Sequence, residues 1–256
     1  MAIELKISVI TVCFNSAATI TDTLRSLDDQ TWPNREHWII DGASRDDTMS
    51  IVDADRQPWR RVVSERDSGI YDAMNKGIRL AQGDVIGFIN SDDFFATPQA
   101  LAMVAAAFAD SSVDVCYGDL CYVKQDDVGE VVRYWRSSEF RPGLFLRGWC
   151  PPHPTLFVRR SVYERFGPFD LQYSIASDIE MMIRLFEVQR VKSRYLPEIL
   201  VKMRMGGTTN RSWSNVLQQN REIWHALQGH DLHPSLPIFV GGKLWLRGRQ
   251  FLTRPT

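Results

Sequence analysis

The sequence predicts an α/β fold in which a mostly parallel sheet carries helices on both faces. Three observations predict this fold. Short runs rich in β-branched residues alternate with segments of helical spacing, the first of these runs is a continuous β-branched run, and no internal repeat breaks the alternation. With 256 residues, the chain is long enough for one large domain with a small appendage.

The first hundred residues predict four strands that are separated by helices. The run KISVITVC is continuous, as expected for a strand covered on both faces, and the helical segments repeat apolar residues every three or four positions. The predicted strands are Lys6–Cys13, His37–Ile40, Arg61–Ser64 and Asp84–Asn90. The predicted helices are Ser16–Leu27, Thr48–Ala54 and Tyr71–Ala81.

Polar side chains follow each predicted strand. Asn15 follows the first strand, Asp41 the second, Asp67 the third, and Asp92 with Asp93 the fourth. Because the carboxyl ends of parallel strands form the ligand crevice of such sheets, we expect these side chains to line one rim. The alternative for the SDD tripeptide is a polar turn that caps the next helix.

The composition argues against several classes of protein. A net charge of −1 and a pI near 6.5 give no broad basic field, so a general nucleic-acid binder is disfavoured. We find no leader pattern and no apolar run long enough to span a bilayer. The four cysteines lack the paired spacing of a zinc site, which favours reduced structural thiols in a cytoplasmic protein.

The predicted rim lacks a glycine-rich phosphate cradle. Neither GxGxxG nor GxxxxGK[ST] occurs in the sequence, so neither a dinucleotide fold nor a P-loop is supported. A diphosphate bound without such a cradle needs another positive partner. A divalent cation held by an aspartate could supply that charge.

Four blocks carry a resemblance to a known family. ISVITVCFN, WIIDGASRDDT, SERDSGIYDAMNKGIRLAQGDV and VIGFINSDDFF, in this order, resemble glycosyltransferase family 2 enzymes of the GT-A fold, notably those of bacterial exopolysaccharide and glycolipid biosynthesis. The resemblance is strong over the first hundred residues and weaker to about residue 210. It implies a Rossmann-like nucleotide-binding half (residues 1–97) and an acceptor half (98–210) in one catalytic domain, followed by a helical extension (211–256).

The resemblance also implies which residues bind a nucleotide-diphosphate sugar. Asp92 would contact the ribose, and Asp93 would hold the cofactor, Mn²⁺ or Mg²⁺. Alternatives are that Asp41 is a turn residue and that Tyr71 belongs to the core. The other implied donor-site residues are Thr11, Cys13, Phe14, Asn15, Asp41, Asp67, Tyr71, Asn75 and Lys76.

An inverting transfer needs a base that takes the proton of the acceptor hydroxyl. In the segment YSIASDIEMMIRLF, Asp178 matches the aspartate that serves as base in the family, Ser177 replaces the acid before it, and Glu180 is the fallback. The alternative is a helix cap. His153, in CPPHPTLFVRR, would contact the diphosphate, the metal or the acceptor, or is structural. The glycines of MRMGGTTN suggest a lid.

The predicted function is therefore metal-assisted transfer of a sugar to a hydroxyl acceptor, which is a saccharide or a lipid-linked molecule. Alternatives are a catalytically silent nucleotide-sugar-binding module and a sugar-phosphate nucleotidyltransferase, although the glycine-rich first loop of the latter is missing. The tail, residues 234–251, mixes aromatic and apolar residues with Lys243, Arg247 and Arg249. It would either contact the inner face of the cell membrane peripherally or pack on the domain.

Overall fold

The computed structural model describes residues 5–206 and 213–252. Within these residues, a nine-stranded mixed sheet has the order β3-β2-β1-β4-β8-β6-β9-β5, and β7 pairs with β6 outside this path. The strands are β1 (Ile7–Cys13), β2 (Arg35–Asp41), β3 (Arg60–Ser64), β4 (Val85–Phe88), β5 (Phe94–Phe95), β6 (Val115–Val123), β7 (Val131–Trp135), β8 (Phe157–Arg159) and β9 (Ser193–Arg204). The prediction of an α/β fold is confirmed.

Helices cover this sheet, and short 3₁₀ turns at Phe145–Arg147 and His153–Thr155 connect some of its strands. The α-helices are α1 (Ile20–Asp28), α2 (Thr48–Ala54), α3 (Ile70–Leu80), α4 (Ala100–Ala107), α5 (Arg160–Phe166), α6 (Ser177–Ile183), α7 (Trp213–Gly229) and α8 (Leu236–Leu252). A π-helical turn, Arg184–Val188, continues α6.

The first four strands of the fold are parallel, and their carboxyl ends meet at one edge. Every residue of β1 is buried, as its continuous β-branched run predicts. The register pairs Cys13 with Asp41 and Asp41 with Ser64, so the ends of β1, β2 and β3 are level. The four predicted strands are therefore confirmed, and so is the expectation that polar residues converge at this edge.

Helix α1 begins four residues later than the sequence predicts. Ser16 does not cap it, because the Ser16 hydroxyl group is 2.8 Å from that of Ser91 and its backbone N–H donates to Thr48 Oγ1 at 2.7 Å. The backbone N–H groups of Thr19 and Ile20 donate to the Ser16 carbonyl, which forms a turn before the helix. Ser16 thus links the segment after β1 to α2 and to the loop after β4, and it does not begin a helix.

The second half of the chain continues the same sheet through antiparallel strands. β8 pairs antiparallel with β4 and with β6, and β6 in turn pairs parallel with β9. All nine residues of β6 are buried. The buried sheet thereby connects the strand ends of the first half to α6, which lies after β8 in the chain.

A carboxylate from another helix holds the residues that precede α6. Glu222 of α7 accepts hydrogen bonds from the backbone N–H groups of Ile175 and Ala176, at 2.9 and 3.0 Å, and from the Ser174 hydroxyl at 2.8 Å. A negative charge here satisfies N–H groups that a helix start leaves without intrahelical partners. This contact fixes the chain two residues before Asp178.

Helix α8 packs on the domain through one face. Phe239 and Gln250 are buried, and a Cβ atom on Gly242 would lie 2.0 Å from the Arg147 carbonyl oxygen, so this close approach requires glycine. The opposite face carries exposed apolar side chains, including Leu244 and Trp245. Across residues 5–206 and 213–252, we find no helix that is both long and apolar enough to cross a bilayer.

Candidate active site

The end of β2 is organised around the buried carboxylate of Asp41. Asp41 is fully buried and accepts hydrogen bonds from the Ser64 hydroxyl at 2.6 Å and from the backbone N–H and the hydroxyl of Ser44. The Cys13 thiol lies 3.7 Å from the same carboxylate. Burial, and next the charge of Asp41, raise the pKa of Cys13, so this thiol stays protonated. Asp41 thus stabilises the loop that follows β2.

An exposed aromatic ring and a carboxylate face each other across Gly42. A Cβ atom on Gly42 would lie 2.6 Å from Asp67 Oδ2 and 3.4 Å from a ring carbon of Phe14, so only glycine leaves this space. The Phe14 side chain is 60% exposed although it follows a fully buried strand. A flat, exposed ring beside a carboxylate can stack on a planar heterocycle and accept its N–H groups.

The loops after β1 and β2 bind each other through Asn15. Its backbone N–H donates to Ser44 Oγ at 2.8 Å, and its side-chain oxygen accepts the Arg45 N–H at 2.8 Å. Asn15 and Ala43 have φ values of 52° and 61°, in the region that residues other than glycine rarely occupy. Such strained backbone is common at ligand sites.

The two aspartates after β4 have different environments. Asp92 is half-buried at the rim. Asp93 is fully buried, and its two carboxylate oxygens accept hydrogen bonds from the Asn90 side-chain amide at 3.0 Å and from the Arg204 N–H at 3.3 Å. Burial, and next the charge of Asp92, raise the pKa of Asp93 well above its usual range. The structure thus places the residue predicted as metal ligand inside the fold.

Arg204 holds this loop in place, and the sequence analysis did not identify it. Its guanidinium group donates to the Asp92 carbonyl at 2.8 Å, forms an ion pair with Asp22 of α1, and lies 5.2 Å from the centre of the Phe94 ring. The side chain is almost fully buried. Arg204 ends β9 and is the arginine of the MRMGGTTN segment, whose Gly207 lies outside the described residues. Only the three-dimensional fold brings this arginine to the aspartates.

Asp178 lies in the first turn of α6, where it accepts a hydrogen bond from Tyr71. The Tyr71 hydroxyl is 2.9 Å from Asp178 Oδ1 and 2.9 Å from the Ile175 carbonyl oxygen. Burial, and next the charge of Asp178, raise the pKa of Tyr71, so the phenol stays protonated. This contact joins the first half of the chain to the second, because the two residues are 107 positions apart.

His153 is a neutral imidazole in an aromatic environment. Its ring stacks on Phe88 at 5.7 Å and meets the edge of Phe169 at 5.6 Å. Burial lowers the pKa of His153. Its Nε2 atom is buried and has no hydrogen-bond partner among the residues that the structure describes, so one ring nitrogen remains available for a ligand.

Several predicted site residues make contacts that serve the fold. Both ends of the Asn75 side-chain amide bind the backbone of Phe169, and the Thr11 hydroxyl lies 2.9 Å from His37 Nε2. Lys76 pairs with Glu65 at the rim. Asp67 accepts the Gly69 N–H at 3.0 Å and so shapes the loop before α3.

Glu180 points away from Asp178 and serves the fold as well. It accepts hydrogen bonds from Arg184 at 3.0 Å and from His230 at 2.8 Å. Burial alone would raise the pKa of Glu180, but the His230 and Arg184 hydrogen bonds keep it below its usual value. Glu180 is absent from the cavity wall formed by the described residues.

A cavity of about 980 Å³ opens beside Asp178. Below, we call this space the acceptor cavity, after the role that we propose for it under the next heading. Its lining includes Tyr71, Asn90, His153 and Asp178, and it continues along β7 and α8. The cavity therefore joins the strand ends of the first half to the C-terminal helix.

The residues at the strand ends fit a divalent cation only in part. Among residues 5–206 and 213–252, no group of three or more His, Cys, Asp or Glu side chains could hold an ion by itself. Mg²⁺ and similar ions, however, often bind through one or two carboxylates together with the phosphates of a substrate. Asp92 is half-buried at the rim, where it suits such a shared ion, whereas Asp93 is fully buried and both of its oxygens accept hydrogen bonds from the protein.

Comparisons with known proteins agree with this fold. The family model for Glycosyl transferase family 2 matches residues 8–167. A PGL/p-HBAD biosynthesis glycosyltransferase of Mycobacterium bovis is 31% identical over 216 residues, which covers 79% of this chain and 78% of the relative. An uncharacterized glycosyltransferase of Mycobacterium tuberculosis is 32% identical over 252 residues, which covers 96% and 91% of the two chains.

Two solved structures share the fold at low sequence identity. S. aureus TarS 1-349 in complex with UDP-GlcNAc has a TM-score of 0.72 and 20% identity, and the match covers 94% of this chain and 73% of TarS. The mannosyltransferase PcManGT from Pyrobaculum calidifontis, in complex with GDP-Man and Mn2+, has a TM-score of 0.66 and 19% identity, with 96% and 70% coverage. The chain belongs to glycosyl transferase family 2, has the GT-A fold and is a glycosyltransferase enzyme.

Proposed function

We propose that this enzyme transfers a sugar from a nucleoside-diphosphate sugar to a hydroxyl group of an acceptor and inverts the anomeric carbon. The observation that carries the proposal is the Asp178 carboxylate, which Tyr71 orients at the wall of the acceptor cavity. Family membership favours this reaction over the nucleotidyltransferase and the silent binding module that the sequence alone left open.

The donor base would stack on Phe14, between the loops that follow β1 and β2. The exposed ring lies beside the Asp67 carboxylate, which can accept N–H groups of a base. In this arrangement Asp41 and Asn15 shape the pocket by holding its two loops together. The complexes of TarS with UDP-GlcNAc and of PcManGT with GDP-Man support a nucleotide sugar as donor.

A divalent cation, Mn²⁺ or Mg²⁺, would be shared between Asp92 and the donor diphosphate. When bound, it would supply Lewis-acid stabilisation of the negative charge on the leaving diphosphate. The Mn2+ in the PcManGT complex supports this cofactor. Asp93 and Arg204 would fix the loop that presents Asp92, so the proposal moves the metal from Asp93, the ligand that the sequence predicts, to Asp92.

Asp178 would act as the general base. Its free carboxylate oxygen can accept the proton of an acceptor hydroxyl while the other oxygen receives the Tyr71 hydrogen bond. His153, neutral and with a buried ring nitrogen that lacks a described partner, can bind the acceptor or the sugar by a hydrogen bond at the same wall. The base and His153 thus both come from the second half of the chain, whereas Tyr71, which orients the base, comes from the first.

The apolar face of α8 supports peripheral contact with the inner face of the cell membrane. Leu244 and Trp245 are 67% and 68% exposed on it, and Arg247 and Arg249 follow them along the same helix. Exposed apolar side chains next to cations suit an anionic membrane surface. An acceptor that is anchored in this membrane would reach the acceptor cavity from the α8 side.

The test of the catalytic proposal is Asp178→Asn, assayed for donor binding and for sugar transfer. We expect donor binding, measured as the rise in Tm with UDP or GDP and Mn²⁺, to be retained, because no donor contact is removed. Transfer should fall by about 10²–10⁴-fold, since the amide cannot accept the proton. Glu164→Gln, an exposed carboxylate on α5, is the matched control, and near-native transfer by Asp178→Asn would contradict the base assignment.

A further inference from the structure

The walls of the acceptor cavity carry an excess of positive charge. Six of the described lining residues are cationic and only two, Glu139 and Asp178, are acidic. The whole chain, in contrast, has a net charge of −1. The cationic lining residues are Arg133, Arg136, Arg141, Lys243, Arg247 and Arg249.

Two of these cations hold α8 against the domain. Arg133 is buried and donates to the Gln250 side chain, and its guanidinium lies 4.4 Å from the centre of the Tyr122 ring. The Lys243 ammonium group donates to Asn220 of α7 at 2.7 Å. Burial lowers the pKa of Lys243. The packing of α8 therefore accounts for the positions of Arg133 and Lys243.

The other four cations are exposed and come from two segments that are far apart in the chain. Arg136 and Arg141 follow β7, whereas Arg247 and Arg249 lie near the C-terminus of α8. The helix dipole favours Arg249 in the last turn of α8. The dipole of α8 gives no reason for Arg136 and Arg141, which follow β7 and line the same cavity, so helix stabilisation alone does not explain all four arginines.

We propose that the acceptor carries a phosphate or diphosphate group that binds to Arg136, Arg141, Arg247 and Arg249. Arginine binds phosphate oxygens in a bidentate, charge-assisted geometry, and several arginines around one cavity suit a multiply charged group. The inference rests on the proposed transferase function and narrows its acceptor class. Trp149, Met182 and Leu246, which also line the cavity, would contact apolar parts of the acceptor.

The donor diphosphate is a weaker candidate for these cations. The donor contacts proposed above lie on the loops after β1 to β4, and none of the four arginines belongs to those loops. The four residues instead line the part of the cavity that β7 and α8 form, where an acceptor would enter. A phosphate bound here would hold the acceptor hydroxyl end near Asp178 without competing for the donor site.

The test uses the full-length protein and three probes: farnesyl diphosphate, uncharged farnesol and inorganic diphosphate. The variant is Arg247→Gln/Arg249→Gln, and the matched control is Arg61→Gln/Arg79→Gln, two exposed arginines outside the cavity. By isothermal titration, we expect farnesyl diphosphate to bind at least about tenfold more tightly than farnesol, and about tenfold more weakly to the variant than to the control. Added salt should weaken binding of the charged probe.

The probes also separate the sources of the phosphate. Tighter binding of farnesyl diphosphate than of inorganic diphosphate supports a lipid-linked acceptor, and equal binding supports a soluble phosphate-bearing one. Equal affinity for farnesol and farnesyl diphosphate, no binding of either charged probe, or an unchanged affinity in the variant would overturn the proposal.

A control with the donor completes the test. Binding of UDP or GDP with Mn²⁺ should be the same in the variant and in the wild-type protein. An equal loss of nucleotide binding in the variant would assign the arginines to the donor and overturn the acceptor proposal. Because these experiments measure binding without turnover, they can succeed even if Asp178→Asn shows that the assignment of the base is wrong.

Discussion

At the scale of single residues, the two neighbouring aspartates after β4 show how burial separates chemically identical groups. Asp93 is enclosed and receives hydrogen bonds from Asn90 and Arg204, whereas Asp92 lies at the rim. A carboxylate that binds a shared metal must present an oxygen to the substrate side. The geometry therefore favours Asp92 as the metal ligand, although the two side chains are chemically identical.

The pair Asp92→Asn and Asp93→Asn tests this distinction. We expect Asp92→Asn to remove the Mn²⁺-dependent part of nucleotide binding, because an amide oxygen is a poorer ligand for a hard cation than a carboxylate. Asp93→Asn should keep that dependence. The measurement is the rise in Tm with UDP or GDP, with and without Mn²⁺. Loss of the Mn²⁺ effect in Asp93→Asn alone would restore the assignment that the sequence predicts.

At the scale of elements, His37 of β2 joins three parallel strands. Its Nδ1 atom accepts the Arg60 Nε–H from β3 at 3.1 Å, so its Nε2 atom carries the proton and donates to Thr11 of β1 at 2.9 Å. Burial, and next the Arg60 cation, lower the pKa of His37 well below its ordinary value. Protonation of His37 at Nδ1 would place a second N–H donor against the Arg60 Nε–H.

Stability should therefore fall as the pH decreases below about 6.5, the pKa of an unfolded histidine. Above that pH, His37 is neutral in both the folded and the unfolded state. Below it, the unfolded state binds a proton that the folded state does not, so the free energy of unfolding decreases by up to about 1.4 kcal/mol per pH unit. Denaturant unfolding measures this pH dependence between about pH 5 and about pH 8, a range that brackets the titration of a histidine. His37→Gln should flatten the curve, while exposed His233→Gln should not; parallel curves for His37→Gln and wild type would contradict the prediction.

The contact between α7 and the start of α6 makes a second prediction at this scale. Glu222→Gln keeps the shape of the side chain but loses the charge that binds the Ile175 and Ala176 N–H groups. We expect a loss of about 1–3 kcal/mol in the free energy of unfolding. We also expect a lower kcat with an unchanged KM for the donor, since Asp178 follows this loop. Glu164→Gln is the control, and equal kcat values for the two variants would refute a positioning role.

At the scale of the whole molecule, the sequence predicts local features better than long-range contacts. The bounds of α2 and the buried strand β1 follow from their own residues, because capping, periodicity and burial are encoded within a few positions. The pairing of β6 with β8 and β9 depends on contacts between distant segments, and no local pattern specifies it. The Tyr71 contact with Asp178 and the role of Arg204 could not be predicted for the same reason.

The C-terminal helix has one face that packs on the domain and one that is exposed, so membrane contact through the exposed face stays a prediction. Its buried face, with Phe239 and Gln250, packs on the domain, and its other face exposes Leu244 and Trp245. Removing the chain after His233 would expose the surface that Phe239 covers. Substitutions on the exposed face therefore test membrane contact without disturbing the core.

We expect Leu244→Ser/Trp245→Ser to reduce sedimentation with vesicles of phosphatidylcholine and phosphatidylglycerol at least about tenfold, because two large apolar side chains no longer enter the interface. The Tm should stay unchanged, since both side chains are exposed. The control is Val128→Ser/Leu171→Ser, which removes exposed apolar side chains outside α8. Vesicles of phosphatidylcholine alone should bind the wild type more weakly, because they lack the negative charge that attracts Arg247 and Arg249. Equal sedimentation of the α8 variant and the control would contradict membrane contact through this face.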